Sequence, residues 1–221
     1  MAKCCFKEPV NAISHLSGTI LAIIGLVVLV ILSVTRASVW HTVSFSIYGG
    51  TLILLYLSST LYHSLRLSER WTRFLRRLDH MMIYLFIAGS YTPLCLVPLR
   101  GTLGWALLSL IWTAALAGVF LKIFFLSIPR LISTGLYLSM GWASLLAFPP
   151  LLGSMPTGAM VWLILGGLFY SVGAVIYGRK APDPFPGVLG FHGIWHLFVM
   201  AGSFCHYWMM LRYITYLTPA N

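Results

Sequence analysis

Phe191-His192-Gly193-Ile194-Trp195-His196-Leu197-Phe198-Val199-Met200-Ala201 opens an apolar run that continues to about residue 212. About twenty apolar residues in a row is the length needed to cross a bilayer as a helix. Inside this run stand two histidines, four residues apart, which places both imidazoles on one face of that helix. Ionisable side chains are costly at membrane depth and are kept there mainly for function. Two ligands on one helix make half of a metal site, so the rest of the chain is read for what reaches the same depth.

Composition agrees with a membrane setting. Of 221 residues, 59% are hydrophobic and 8% are charged, against roughly 25% charged in soluble domains. The mean hydropathy is +0.91. A net charge of +10 would suggest nucleic acid in a soluble protein. Here the basic residues cluster in short connections, which excludes that partner in favour of the positive-inside rule. The first apolar run is too long for a cleavable signal peptide. The cysteines Cys4, Cys5, Cys95 and Cys205 form no C-x-x-C pair. A zinc-thiolate site or disulfide framework is therefore not expected. Acylation of Cys4-Cys5 has no other support.

Seven runs reach spanning length: 13–33, 42–65, 79–98, 103–122, 132–152, 158–178 and 191–212. The expected architecture is all-α, one seven-helix membrane domain over residues 1–221, with no soluble domain or linker. The breaks carry Arg36-Ala37-Ser38, a long basic loop from Arg66 to Arg77, Arg100-Gly101, Pro129-Arg130, Pro156-Thr157-Gly158, and Arg179 through Pro186. If the N-terminus is cytoplasmic, that side receives Lys3, Lys7, Arg66, Arg70, Arg73, Arg76, Arg77, Lys122, Arg130, Arg179 and Lys180, eleven in all. The other side receives Arg36, Arg100 and Arg212, three in all. Eleven against three orients the N-terminus inside and the C-terminus outside.

On this map, groups far apart in sequence share the cytoplasmic depth. Glu8, Asn11 and His15 enter the first span, and Ser59 and His63 end the second. Asp79 and His80 begin the third span, and His192 and His196 begin the seventh. Three imidazoles with one open position make a catalytic zinc arrangement, and a nearby carboxylate can orient or deprotonate the bound water. Ser59, one turn before His63, faces the same way and can hold that water or a polar head group. Asp79 is expected to pair with the metal's water, Arg76 or a nearby histidine. His80, adjacent to Asp79, is expected to face away from it. His41 is assigned to an outer loop. His206 lies about 15 Å along the helix from His196, which suits an interhelical hydrogen bond. Trp40, Trp71, Trp105 and Trp112 fit interfacial belts, and Gly166 and Gly167 fit close helix packing.

These residues resemble a known family. Glu8-x-x-Asn11-x-x-x-His15, Ser59-x-x-x-His63, Leu78-Asp79-His80 with Ile83-Tyr84, Ala88-Gly89-Ser90-Tyr91-Thr92-Pro93, and His192-x-x-x-His196 are similar to the hemolysin III proteins. Those belong to the progestin and adipoQ receptor family, which includes the adiponectin receptors. The resemblance covers about residues 7 to 210, and the Asp-His through Tyr-Thr-Pro block is close to the bacterial branch. It implies a seven-helix bundle with an inside N-terminus, and a zinc held by His63, His192 and His196. It also implies that Asp79 contacts the zinc-bound water, with Ser59 as the motif serine. Glu8, Asn11, His15 and His80 are secondary candidates. The wider superfamily is associated with metal-dependent hydrolysis of lipid amides.

The leading functional expectation is therefore a zinc-dependent hydrolase of a lipid amide or ester, ceramidase-like, in a bacterial inner membrane. Its partners are membrane lipids, with a substrate entering between helices. The alternative is a non-enzymatic lipid sensor, membrane homeostasis protein or membrane-perturbing cytolysin with a structural zinc. A retinal-type pump is disfavoured, since no lysine lies mid-span, and an ion channel lacks a ring of charges at mid-bilayer. The animal receptors' long N-terminal region has no counterpart here, so hormone signalling is not carried over.

Overall fold

A computed structural model describes residues 6–125, 128–185 and 188–219. Lys3, Cys4, Cys5 and Pro186 lie outside the described residues. The helices run α1 (Pro9–Arg36), α2 (Val39–Ser64), α3 (Glu69–Leu96), α4 (Thr102–Phe124), α5 (Arg130–Gly141), α6 (Phe148–Ser154), α7 (Thr157–Arg179) and α8 (Phe191–Arg212). A 3-10 segment, Trp142–Ala147, joins α5 to α6. The pair α5–α6 is one span, so the chain makes the seven expected crossings. Among the described residues, β-structure is limited to an isolated bridge between Phe185 and Leu189.

The packing is that of a membrane protein. Along α1 the buried residues are Ala12, His15, Gly18, Thr19, Ala22, Gly25, Leu29 and Ser33. Ile13, Ile20, Leu21, Ile24, Val27 and Ile31 are exposed. Small and polar groups thus face the bundle and large aliphatic ones face outward. Hydrocarbon accepts the latter freely, while backbone and polar groups must be satisfied within the protein. Successive helices pack as antiparallel neighbours from α1 to α4, α7 packs on α8, and α8 returns to α1 to close the bundle. Gly101, at φ 132°, makes the tight turn from α3 into α4, a conformation that a residue with a Cβ rarely adopts. Gly166 lets the His206 ring approach where a Cβ would collide with it. At Gly167 a Cβ would meet Trp142 only at ordinary contact distance, 3.7 Å, so close packing is required at the first of these glycines alone.

Five crossings, α1, α2, α4, α5–α6 and α7, are long and apolar enough to span by length and composition. The remaining two are α3 and α8, which carry Asp79, His80, His192 and His196. Their lower apolarity comes from the site they bring.

The structure changes three expectations. The basic stretch from Arg66 to Arg77 is not a long loop: α3 begins at Glu69. Glu69 pairs with Arg73 at 3.1 Å one turn later, and the helix extends beyond the apolar run with Arg70, Arg73, Arg76 and Arg77 exposed. The fifth span is broken rather than continuous, because Pro149 and Pro150 can occupy only the first turn of a helix. The break is tied down by Tyr91, whose hydroxyl donates to the Gly141 carbonyl at 2.7 Å and accepts from the Ser144 N–H at 2.7 Å. Finally, His41 is not in a loop. It lies in the first turn of α2, 1% exposed, between the Ser38 hydroxyl at 2.9 Å and the Ile214 carbonyl at 3.0 Å. The outer-loop assignment fails because α2 starts at Val39, three residues before the apolar run.

Replacing Tyr91 by Phe leaves two part-buried backbone groups short of a partner. The expected cost is about 1–3 kcal/mol, readable as a lower thermal unfolding midpoint in detergent, with helix content by circular dichroism unchanged. An unaltered midpoint would show that the break does not depend on this hydroxyl.

Candidate metal centre

Four helices supply the polar cluster, and each sets its side chains by helical spacing. His63 comes from the last turn of α2, and His192 and His196 come from successive turns of α8. One ligand nitrogen from each of these three lies within 4.8 Å of the others. The Nε2 atoms of His63 and His192 are 3.2 Å apart. Two nitrogens bound to one tetrahedral metal at 2.0–2.1 Å are separated by about 3.3–3.4 Å, so this pair already has the spacing a shared ion requires. His63 and His196 are 1% and 2% exposed, and the His196 Nδ1 is buried without a hydrogen bond to the protein. Three such imidazoles, with no thiolate beside them among the described residues, fit a divalent metal of intermediate softness.

Glu8 holds the first of these ligands. Its Oε2 accepts from His63 Nδ1 at 2.7 Å and from Asn11 Nδ2 at 2.8 Å. The Glu8 backbone N–H donates to the His63 carbonyl at 2.9 Å. Protonation at Nδ1 leaves the Nε2 lone pair directed at His192, which is how a carboxylate partner orients a metal-ligating histidine. The same hydrogen bond from His63 holds the Glu8 carboxyl down at about 2, against its partial desolvation. Glu8, Asn11 and His63 are thus brought together. Position in the chain puts Glu8 at this depth as a secondary candidate; its pairing with His63 is visible only in the structure. The Glu8–Asn11 pairing was readable in Glu8-Pro9-x-Asn11, since a spacing of three puts both side chains on one face at the start of a helix.

His15 stacks on His196, with ring centroids 3.6 Å apart and planes inclined by 10°. Its other face meets the edge of Tyr56, and both its ring nitrogens are buried without a hydrogen bond. It lies beside the three convergent histidines rather than among them. His206 reaches the Leu163 carbonyl at 3.4 Å, the interhelical bond expected of it.

Asp79 and Ser59 face a cavity of about 340 Å³ that is also lined by His192, His196 and His15. Asp79 is 8% exposed and Ser59 is 1% exposed. The Ser59 hydroxyl lies next to the Asp79 carboxylate but makes no hydrogen bond of good geometry. His80 lines the same cavity. Neighbouring helical residues diverge by about 100°, and the cavity is wide enough to receive both directions. From the histidines the cavity continues between apolar walls that include Ile83, Phe86, Leu94, Leu145 and Phe148. Residues 76 and 94 of α3 both line it, an axial reach of about 27 Å at 1.5 Å per residue.

Comparison with known proteins identifies the family. The family model described as "Haemolysin-III related" matches residues 4–207. The chain belongs to the haemolysin III-related family. It is 44% identical over 94% of its length to the hemolysin-3 homolog of Bacillus subtilis (strain 168), covering 94% of that protein. It is 41% identical to hemolysin-3 of Bacillus cereus over 94% of this chain and 92% of that one. More distantly, it is 28% identical to the human monocyte to macrophage differentiation factor, over 98% of this chain and 88% of that one. The haemolysin III-related protein described here is therefore an integral membrane protein of seven helices, with three histidines positioned to hold a metal ion.

Two metal-binding outcomes are expected. Replacing His63 by Ala abolishes stoichiometric metal in the purified protein, as read by plasma mass spectrometry. Replacing Glu8 by Ala retains the site but weakens it by about 10–100-fold, as read by competition with a chromogenic chelator. Equal affinity in Glu8→Ala and the unaltered protein would remove Glu8 from the site.

Proposed function

We propose that this haemolysin III family protein is a zinc-dependent hydrolase of a lipid amide or ester, set at the cytoplasmic leaflet of the bacterial inner membrane. The reading rests on one observation above others. His192 and His196 of the convergent set, with Asp79 and Ser59, line a long cavity that also has a stretch of apolar wall including Ile83, Phe86, Leu94, Leu145 and Phe148. An acyl chain fits such walls, and its carbonyl end then lies beside the polar groups. A loop count of eleven basic residues against three supports the cytoplasmic placement of this end.

His63, His192 and His196 would hold the ion. Three imidazoles with a carboxylate nearby favour zinc over calcium or magnesium, which prefer oxygen ligands. When bound, zinc supplies a Lewis acid for the substrate carbonyl and for water. In this reading Asp79 is the proton carrier. Its carboxylate takes a proton as water oxygen adds to the acyl carbon, then gives it to the departing amine nitrogen or alcohol oxygen as the acyl bond breaks. The products are a fatty acid and an amine or alcohol. Ser59 donates its hydroxyl proton to the substrate or to water and fixes its position.

The test is turnover of ceramides and other acyl amides by purified, zinc-loaded protein in mixed micelles. Asp79→Asn should reduce kcat by about 100-fold or more while zinc content stays at wild-type level. Ser59→Ala should cause a smaller loss, shared between kcat and KM. Absence of turnover across lipid amides and esters at full zinc occupancy would overturn the reading and leave a structural metal in a non-enzymatic lipid sensor or cytolysin.

A further inference from the structure

The basic residues of this chain fall into two groups that the loop count did not separate. Arg66, Arg70, Arg73, Arg77 and Arg179 are surface residues, as charges at a membrane boundary usually are. Arg76, Lys122, Arg130 and Lys180 also line the cavity, Arg76 and Lys180 from the exposed surface, Arg130 from a half-buried position and Lys122 from the interior. Lys122 is 2% exposed. It lies on the last turn of α4 and continues that helix's buried stripe, Gly104, Leu107, Ile111, Ala115 and Gly118. Its ammonium donates to the Ser133 hydroxyl at 2.7 Å, which is a neutral partner. Arg130 is held in place by its own packing. Its guanidinium lies 4.6 Å from the Tyr177 ring centre and 5.2 Å from that of Phe191, and Nη1 donates to the Tyr177 carbonyl at 3.4 Å. The Tyr177 ring is in turn 5.6 Å from the His192 ring. Arg130 is therefore separated from His192 by a single aromatic ring.

Their charge is poorly matched by the protein. The chain has four acidic residues. Glu8 is engaged by His63 and Asn11, Glu69 pairs with Arg73, and Asp183 accepts from the Phe191 N–H. Asp79 alone lines the cavity with four cations. An ammonium buried at the edge of hydrocarbon with a neutral partner is expensive, and such residues are found where a charged ligand completes them.

We propose that Arg76, Lys122, Arg130 and Lys180 form a subsite for the anionic group of an acyl lipid whose chain lies along the apolar walls of the cavity. The ligand class is a single-chain or diacyl lipid carrying a phosphate or carboxylate a few bonds from its acyl carbonyl, in preference to a neutral lipid of the same chain. This rests on the cavity being the lipid site of the preceding section, but it concerns binding and not turnover.

The experiment uses full-length, zinc-loaded protein in a non-ionic maltoside micelle and measures equilibrium binding of three probes. These are palmitoyl lysophosphatidic acid, the neutral monopalmitoylglycerol, and inorganic phosphate. The expected result is tighter binding of the phosphate-bearing lipid by about tenfold or more over the neutral one, with inorganic phosphate far weaker than either. In Lys122→Met with Arg130→Gln the preference should fall to a few-fold, what Arg76 and Lys180 still supply, with the neutral lipid at its original affinity. Arg130→Gln alone, on the helix boundary, should give a partial loss and guards against a double variant that fails to fold. Equal affinity of the two lipids for the unaltered protein would overturn the proposal, as would inorganic phosphate binding as tightly as the lipid. A wild-type preference for the anionic lipid without any hydrolysis would uphold the subsite and refute the hydrolase, so the two readings fail separately.

Discussion

A polar or ionisable side chain that faces hydrocarbon loses its water and finds no replacement, and this constraint organises the whole bundle. Helices α1, α2, α3 and α8 all carry such groups toward the same end. Each can bury them only by turning them toward the others. The result is a polar knot in which Glu8, Asn11, His15, His63, His192 and His196 contact one another directly, while the outward faces remain aliphatic. The His63–Glu8 hydrogen bond is central to it. It joins the start of α1 to the end of α2 and leaves one imidazole nitrogen free to meet α8.

The same constraint explains the irregular parts. The fifth crossing is interrupted in a 3-10 segment, and its freed backbone groups are met by Tyr91 from α3. Broken helices persist at membrane depth where protein groups satisfy the backbone. The break also lines the cavity through Gly141, Trp142, Ser144 and Leu145. Widening between α3, α5 and α7 and loss of helix regularity therefore occur at one place. Rather than filling the gap, the chain lines it with apolar side chains and leaves cations at one end.

Much of the architecture was legible in order and residue type. Apolar runs of spanning length marked seven crossings because a helix must be about that long to cross a bilayer. Helical spacing put His192 with His196, and Ser59 with His63, on common faces. The limits of that reading were physical. Counting charges by loop treated Lys122 and Arg130 like Arg70 and Arg73, since a count cannot distinguish a side chain turned to water from one turned inward. The buried stripe on α4, ending at Lys122, was a readable sign that went unused. His41 was misplaced because hydropathy marks the apolar run and not the helix, which begins earlier at Ser38 and Val39.

By itself the sequence determined that this is a seven-helix membrane protein and which ionisable residues share a depth, because bilayer thickness and helical rise convert position in the chain into height. Only the tertiary structure decided which of those residues touch. Height leaves rotation and neighbour choice open, and these follow from side-chain packing between helices distant in sequence. That packing made Glu8 the partner of His63, stacked His15 on His196, placed both Asp79 and His80 along the cavity, and buried Lys122 among the cations that line it.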